Sequence, residues 1–146
     1  MRILVGYLLF LSFILMSCKD SSIATKLYSK CDKQDKCIRK VKDVTKFRWE
    51  KVYIFSVGAS LEDIQKVLNV PYNQWQDVVD RIVFVNQGKV VYHEEYFPYP
   101  EHIEKGRTFF ELNKAPYVGE YHTATFVVSK EENDNGEWYY KIIPVK

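Results

Sequence analysis

The sequence contains no apolar segment long enough to cross a membrane. Its longest apolar run, residues 3–16, has fourteen residues, whereas a spanning helix needs about 20 to cross roughly 30 Å of hydrocarbon. The run follows Arg2 and is followed by a small residue, Ser17. A positive start, an apolar run of about 7–15 residues and a small residue before the cut are typical of a secretory signal. We therefore expect residues 1–17 to be a cleaved signal peptide.

The usual signatures of an enzyme are also missing. The sequence contains no G-x-S-x-G, no H-E-x-x-H and no Gly-rich phosphate loop. The stretch "YHEEYFPYPEHIE" gathers five residues of types that bind zinc or act as acid and base: His93, Glu94, Glu95, His102 and Glu104. Because neighbours in a strand point to opposite faces, surface positions explain these residues more simply. We expect no catalytic residue, no metal site and no cofactor; the alternative is a small metal-dependent or hydrolytic envelope enzyme built on this cluster.

Cysteine is scarce, and the first of the three cysteines, Cys18, directly follows the apolar run and Ser17. The string Leu15-Met16-Ser17-Cys18 resembles the lipobox of bacterial lipoprotein precursors, in which an aliphatic, a variable and a small residue precede an invariant cysteine. The resemblance implies cleavage after Ser17, a thioether-linked diacylglycerol on Cys18 and acylation of its new α-amino group. Several acyl chains make physical sense because one chain alone binds a membrane only marginally. The alternative is a plain signal peptide followed by an incidental cysteine.

A lipid on Cys18 implies a membrane-anchored protein of the bacterial cell envelope that faces the periplasm. Lys19 stands where an acidic residue is often linked to inner-membrane retention, so we expect the outer membrane.

The other cysteines, Cys31 and Cys37, are separated by five residues, and an oxidising compartment favours a disulfide between them. Metal binding is the weaker interpretation because the nearest histidine is more than 50 residues away.

Charge is distributed unevenly along the chain. Residues 18–51 hold 11 Lys or Arg against 5 Asp or Glu, whereas residues 52–146 hold 9 against 14. We expect residues 18–46 to be a basic, lipid-anchored tether, either solvated or lying against anionic headgroups. Residues 47–146 then form a single domain, a length that suits one hydrophobic core. Nucleic acid is not an expected partner of an exported chain with a formal net charge of only +2.

The first definite elements after the tether are a strand and a helix. "FRWEKVYIF" alternates between apolar faces, with Trp49, Tyr53 and Phe55 on one of them, and this pattern predicts a buried strand. Ser60 with an acidic residue three positions later has the spacing of a capping box, which marks the start of a helix. Asn69, followed by a proline, marks its end.

Two hairpins are predicted further along the chain. Residues 82–85 are apolar on both faces, which is typical of a central strand, and the turn "NQGK" leads into a partner strand. Asn135-Gly136 indicates a second hairpin between "TATFVVSK" and "EWYYKIIPV". Residues 108–112 are a candidate for one further strand. This order of elements predicts an α+β domain with a mainly antiparallel sheet of about five or six strands and one or two short helices.

The motif F-x-W-[DE]-K-x-Y-[IV]-F at residues 47–55, preceded by a cysteine and "KDVT", carries a second resemblance. It is similar to a motif of small bacterial envelope lipoproteins with no settled activity. The resemblance extends from about Cys37 through the turn at Gln87-Gly88 and the strand after it. Because the motif is apolar, it implies a shared fold more than a mechanism, with Trp49 and Tyr53 as core residues.

Aromatic residues alternate with prolines after the first hairpin, where strand periodicity ends. Tyr96, Phe97 and Tyr99 are the candidate binding residues, because aromatic rings provide large contact area at low entropy cost. The alternative is that these rings cap the core. The function we expect is that of a lipid-anchored envelope protein that binds a partner protein, such as an envelope component or a secreted toxin, without catalysis. A purely structural tether or assembly factor is a further class.

Overall fold

The computed structural model describes residues 21–31, 34–77, 79–96 and 107–145. Across these ranges it contains two α-helices, a short 3-10 helix at Val41–Asp43 and eight strands. The helices are α1 (Ile23–Ser29) and α2 (Leu61–Leu68), and the strands are β1 (Lys36–Lys40), β2 (Lys51–Phe55), β3 (Asp80–Asn86), β4 (Lys89–Tyr96), β5 (Arg107–Phe110), β6 (Tyr117–Glu120), β7 (Thr125–Glu132) and β8 (Trp138–Val145). The α+β class is confirmed, with more strands than the five or six expected.

The strands form two four-stranded sheets. Sheet I has the order β1-β7-β8-β5 and sheet II the order β4-β3-β2-β6. Every pairing is antiparallel except that of β5 with β8, which is parallel. Both predicted hairpins are present. Gln87 and Gly88 turn the first with φ of 48° and 70°, the two positive values that a tight hairpin turn requires.

The main core lies between the two sheets. Val52, Ile54, Ile82 and Phe84 of sheet II are completely buried, together with the inward side chains of sheet I: Phe126, Val128 and Ile142. Burial of each such side chain contributes roughly 1.5–3 kcal/mol. The inward-facing side chains of the two sheets therefore form one shared apolar layer.

The segment expected to be a tether belongs to this core from Ile23 onward. Ile23, Ala24 and Leu27 on one face of α1 are at most 1% exposed, and β1 pairs with β7 along its whole length. The disulfide between Cys31 and Cys37 is confirmed, with Cα atoms 5.5 Å apart. An apolar helix face and the disulfide thus fasten this basic segment to sheet I.

The outer face of sheet II carries a second, smaller core. Tyr53, Phe55 and Val83 pack there against Ile64 and Leu68 of α2. The helix begins and ends as predicted, with the Ser60 hydroxyl accepting a hydrogen bond from the backbone N–H of Asp63 at 3.1 Å and Asn69 in the left-handed conformation at φ 51°. Sheet II is therefore apolar on both faces.

Trp49 lies on the opposite side of sheet II from Tyr53 and Phe55, which corrects the prediction that the three share a face. Its side chain is 4% exposed and packs in the core between the sheets. The regular strand begins only at Lys51, after a bend at Glu50, so the alternation does not extend back to Trp49.

Over the described ranges, no helix is both long and apolar enough to span a bilayer.

Candidate functional site

The outer face of sheet I, in contrast to that of sheet II, has no described helix packed on it. α1 lies on the inner side, where the ring of Tyr28 meets that of Tyr140 at 4.9 Å. On the outer side, Ile38, Phe109 and Val145 are 61%, 46% and 37% exposed. Strand register sets Ile38 opposite Val127 and Val127 opposite Ile143. We call this surface the open face and define it by five residues: Ile38, Phe109, Val127, Ile143 and Val145.

Charged groups that bind one another lie beside the apolar row of the open face. The Glu131 carboxylate accepts hydrogen bonds from the Ser129 hydroxyl at 2.8 Å and the Tyr139 hydroxyl at 3.0 Å. The Lys141 ammonium lies 2.6 Å from a carboxylate oxygen of Glu111. The bond from Ser129 lowers the pKa of Glu131, and the bond to Glu111 raises the pKa of Lys141. Both groups are therefore held in their charged forms at neutral pH.

Three members of the histidine and glutamate cluster lie among the described residues: His93, Glu94 and Glu95 on β4. As expected for neighbours in a strand, His93 and Glu94 have different surroundings. The Glu94 carboxylate accepts a hydrogen bond from the backbone N–H of Ile23 at 2.9 Å and bonds from the hydroxyls of Tyr92 and Tyr96. Carboxylates are favoured at helix N-termini, so Glu94 fixes the start of α1. His102 and Glu104 lie outside the described residues, among which no metal-ligating group of three or more occurs.

Tyr96 is part of the core and not an exposed binding residue. Its side chain is 8% exposed, and its ring meets that of Phe110 at 5.2 Å. Burial is the main cause that raises the pKa of its hydroxyl well above the usual value. The core-capping alternative therefore holds at this position, because the last residue of β4 still points between the sheets. Phe97 and Tyr99, like the lipid-attachment residue Cys18, lie outside the described residues.

Residues 71–77, which we call the strap, cross from the end of α2 towards β3. Hydrogen bonds to neighbouring elements hold the strap. The Gln65 amide donates to the carbonyl of Tyr72 at 2.7 Å, the Trp75 indole N–H donates to the carbonyl of Ala59 at 3.1 Å, and the Arg81 guanidinium donates to the carbonyl of Gln76. A cleft of about 340 Å³ opens where the strap meets β4. We call it the strap cleft, and its lining residues are Asn73, Gln74, Trp75, Gln76, His93 and Glu95.

Arg81 is the residue of this region that sequence reasoning missed. Its side chain is only 1% exposed, although it stands near the start of the apolar strand "DRIVFVN". Arginine is almost never fully buried unless it is paired. A charged residue inside a strand predicted to be central was therefore the available signal.

A larger cleft of about 540 Å³ lies between α2 and Pro116 and is mostly apolar. Its two charged residues are Asp63 and Lys66. The Asp63 carboxylate already accepts a hydrogen bond from the Ser60 hydroxyl at 2.6 Å. This cleft therefore offers few polar groups with which to recognise a ligand.

Comparisons of the chain with protein-family models, curated proteins and solved structures find no match. The function of the molecule is therefore inferred from its own residues. Two surfaces are relevant to it, the open face of sheet I and the strap cleft of sheet II.

Proposed function

We propose that the protein is a lipid-anchored component of the bacterial cell envelope that binds a partner protein through the open face and catalyses no reaction. The observation that carries the proposal is the exposure of Ile38 and Phe109, at 61% and 46%, on one side of one sheet. Single exposed apolar residues are ordinary on protein surfaces. Apolar residues gathered on one uncovered face are typical of an interaction site.

The composition of the open face favours a protein as its partner. Ile38, Val127 and Ile143 form an aliphatic row across β1, β7 and β8. Phe109 on the edge strand β5 lies opposite Lys141, which forms an ion pair with Glu111. Protein interfaces commonly combine a core depleted in charge with a polar rim. The β1 edge adds Lys36 and Lys40, so a partner with an acidic margin fits best.

The proposed anchor is Cys18, as the lipobox resemblance implies. α1 begins at Ile23, so the chain between the lipid and the folded domain spans at most about 18 Å, at roughly 3.3–3.6 Å per residue. This length keeps the folded domain near the membrane surface. The Cys31–Cys37 disulfide supports an oxidising compartment, which is consistent with the periplasmic side of the outer membrane.

The envelope enzyme remains the less favoured alternative. Glu94, a central member of its proposed cluster, is engaged by the N-terminus of α1 and two tyrosine hydroxyls. A carboxylate bound in this way is occupied in holding the fold. Binding by the open face requires no such group.

Two experiments test the proposal. Replacement of Cys18 by Ala should abolish labelling with radioactive palmitate and leave an unprocessed precursor, and normal processing of that variant would contradict the anchor.

Replacement of Ile38 by Asp should remove the partner that co-purifies with the gently solubilised wild-type protein. Val91→Asp on β4, where Val91 is 42% exposed, is the matched control and should retain it. Loss of the partner in the control but not in Ile38→Asp would contradict the assignment to the open face.

A further inference from the structure

The outer edge of β1 is a strand edge whose hydrogen-bonding pattern is set by contacts at its two ends. Among the described strands, β1 pairs with β7 alone and stands first in sheet I. The backbone N–H of Lys130 donates to the carbonyl of Asp35 at 3.0 Å, and that of Val41 donates to the carbonyl of Ala124 at 3.1 Å. Because antiparallel residues alternate between bonding to the neighbouring strand and facing away from it, residues 35, 37, 39 and 41 bond to β7.

The three residues between them, Lys36, Ile38 and Lys40, therefore direct their backbone N–H and C=O groups away from the sheet. No described backbone group outside the strand pairing bonds to these three residues. The Arg39 guanidinium donates to the carbonyl of Ile38 at 2.9 Å, but a carbonyl oxygen has two lone pairs and can accept a second bond. An edge of unpaired donors and acceptors is a template for another strand.

The side chains of the same three residues lie on the open face of sheet I. Ile38 belongs to that face and is 61% exposed, and side chains two positions apart in a strand share a face. Lys36 and Lys40, both exposed, thus flank Ile38. A strand added beside β1 continues the open face and sets its own alternate side chains against one apolar residue between two positive charges.

This charge pattern excludes a second copy of the chain as the added strand. If two β1 strands pair in antiparallel fashion about Ile38, each Lys36 lies opposite a Lys40. If they pair in parallel and in register, each lysine lies beside its equivalent. Like charges that face each other across a strand pair are destabilising, and lysine at a sheet edge is a common protection against self-association.

The other edges of the two described sheets are less suited to strand addition. β5 and β6 have four residues each. β4 is longer, but its pairing with β3 shifts register between Phe84 and Val85, and such bulges protect edges from pairing. The pairing of β1 with β7 runs through five consecutive positions without irregularity.

We propose that the partner of the open face adds a β-strand to the outer edge of β1, and that this strand carries an apolar side chain between two acidic ones at alternate positions. Its backbone bonds to Lys36, Ile38 and Lys40, its acidic side chains pair with the two lysines, and its apolar side chain packs on Ile38. In recognition of this kind, backbone bonds provide affinity and alternate side chains provide specificity. The inference rests on the proposed function and names the segment by which the partner is recognised.

The test is a nuclear magnetic resonance titration of the purified protein that follows the backbone amides of Lys36, Ile38 and Lys40. The probe is the peptide Thr-Glu-Thr-Val-Thr-Glu-Thr, blocked at both ends. We expect saturable shifts and slower hydrogen exchange of the three amides, because each then donates to the peptide. The same peptide with lysine in place of both glutamates should bind at least about tenfold more weakly.

N-methylation of the peptide tests the strand pairing itself. A methyl group on the nitrogen of the central valine, whose N–H faces β1, should weaken binding at least about tenfold. The matched control carries the methyl group on the nitrogen of an adjacent threonine, whose N–H faces solvent, and should bind almost as well as the unmodified peptide. Equal binding of the two methylated peptides would overturn the proposal.

Charge reversal on the protein tests the pairing of side chains. Lys36→Glu combined with Lys40→Glu should reverse the preference and bind the lysine peptide at least about tenfold more tightly than the glutamate peptide. Lys89→Glu on β4, where the side chain is exposed, is the control and should leave the preference unchanged. The proposal is wrong if the glutamate peptide gives no saturable shift with the wild type up to about 10 mM, or if the double variant still prefers it.

Hydrogen exchange in two further samples separates strand addition from other contacts. If vesicles of phosphatidylglycerol slow the exchange of the three amides and the glutamate peptide does not, the edge binds the membrane and the proposal is wrong. If the co-purified partner is bound but the three amides exchange as fast as in the free protein, strand addition is wrong while partner binding by the open face stands. Slower exchange in that complex, confined to these three amides within β1, supports the proposal.

Discussion

The two sheets share one core but differ in what lies on their outer faces. α2 packs on sheet II through Ile64 and Leu68 and buries Tyr53 and Phe55, whereas over the described ranges no helix packs on the outside of sheet I. The apolar side chains of that face remain exposed, Ile38 most of all at 61%. The same alternating pattern therefore yields a second core on one sheet and a candidate interface on the other.

The comparison also separates two kinds of surface. The open face is broad and carries apolar side chains on all four strands of sheet I, and its charged groups Lys141 and Glu131 already have partners, which suits a protein. The strap cleft is smaller and is lined by five polar residues and Trp75. Covering a sheet face with a helix and a strap removes it as a protein interface and leaves a cleft beside the strap.

The largest expected effect is a contrast between two phenylalanines. Phe84 is completely buried between the sheets, while Phe109 on the open face is 46% exposed. Phe84→Ala should lower the free energy of unfolding by about 3–5 kcal/mol, and Phe109→Ala should change it by less than about 0.5 kcal/mol. Urea unfolding followed by circular dichroism measures both. Equal losses would mean that the open face is packed against part of the chain.

The second effect concerns the edge of sheet I. The Cys31–Cys37 disulfide ties α1 to β1, and closing so short a loop contributes about 2 kcal/mol by chain entropy. The double variant Cys31→Ser with Cys37→Ser should lose about that amount of stability in urea unfolding without reductant. Reductant should lower the stability of the wild type by the same amount and leave the variant unchanged. A variant as stable as the oxidised wild type would show that β1 is held without the bond.

A third, smaller effect tests how α1 bridges the sheets. The Glu94 carboxylate on sheet II accepts a hydrogen bond from the backbone N–H of Ile23 at 2.9 Å. α1 itself contacts β7 and β8 of sheet I. Glu94→Gln removes the charge at the helix N-terminus and should lower the free energy of unfolding by about 1 kcal/mol. Glu120→Gln on β6, where the side chain is exposed, is the control, with an expected change below about 0.5 kcal/mol. Equal stability of the two variants would contradict the bridge.

The smallest effect is a dependence of stability on pH through Asp80. This residue is 4% exposed. Its carboxylate accepts hydrogen bonds from the backbone N–H groups of Val57, at 2.7 Å, and of Phe110. Because Phe110 belongs to sheet I, Asp80 also links the sheets. Desolvation is the main cause that raises the pKa of its carboxyl in the folded protein. The folded state therefore binds this proton more tightly than the unfolded state, and the resulting stabilisation, complete below the unfolded pKa, is lost as pH rises through the folded pKa.

Urea unfolding of wild type and Asp80→Asn between about pH 3 and about pH 7 isolates this contribution. The asparagine side chain of the variant has no carboxyl to titrate, so the stability of the wild type relative to the variant should be greatest at the acid end. It should decline as pH rises. A relative stability that instead increases with pH would mean that the charged form of Asp80 is the favoured one in the folded protein.

Local signals account for the parts of the fold that could be predicted from the sequence. The cap at Ser60, the helix end at Asn69 and the turns at Gln87-Gly88 and Asn135-Gly136 each depend on a few adjacent residues. The division into two sheets depends on pairings between distant strands, such as β1 with β7 and β5 with β8. No local pattern encodes those pairings.

The candidate sites were harder to predict because they depend on which faces are covered. Tyr96 follows an alternating strand and precedes prolines, but whether it points to solvent depends on Phe110, which comes from a different sheet. Arg81 was visible as a charge in an apolar strand, yet only the placement of the strap shows it to be buried. The open face could be recognised only once α2 was located on the other sheet.

Photo-crosslinking in living cells tests the central claim, that the open face is the partner-binding surface, most directly. A benzophenone amino acid replaces Phe109 on the open face or, as the control, the similarly exposed Val91 on β4. We expect that irradiation links position 109 to a second protein of discrete mass, that Ile38→Asp abolishes the adduct, and that position 91 gives none. An adduct at position 91 alone, an adduct at position 109 that survives Ile38→Asp, or a product of twice the chain's own mass would contradict the claim.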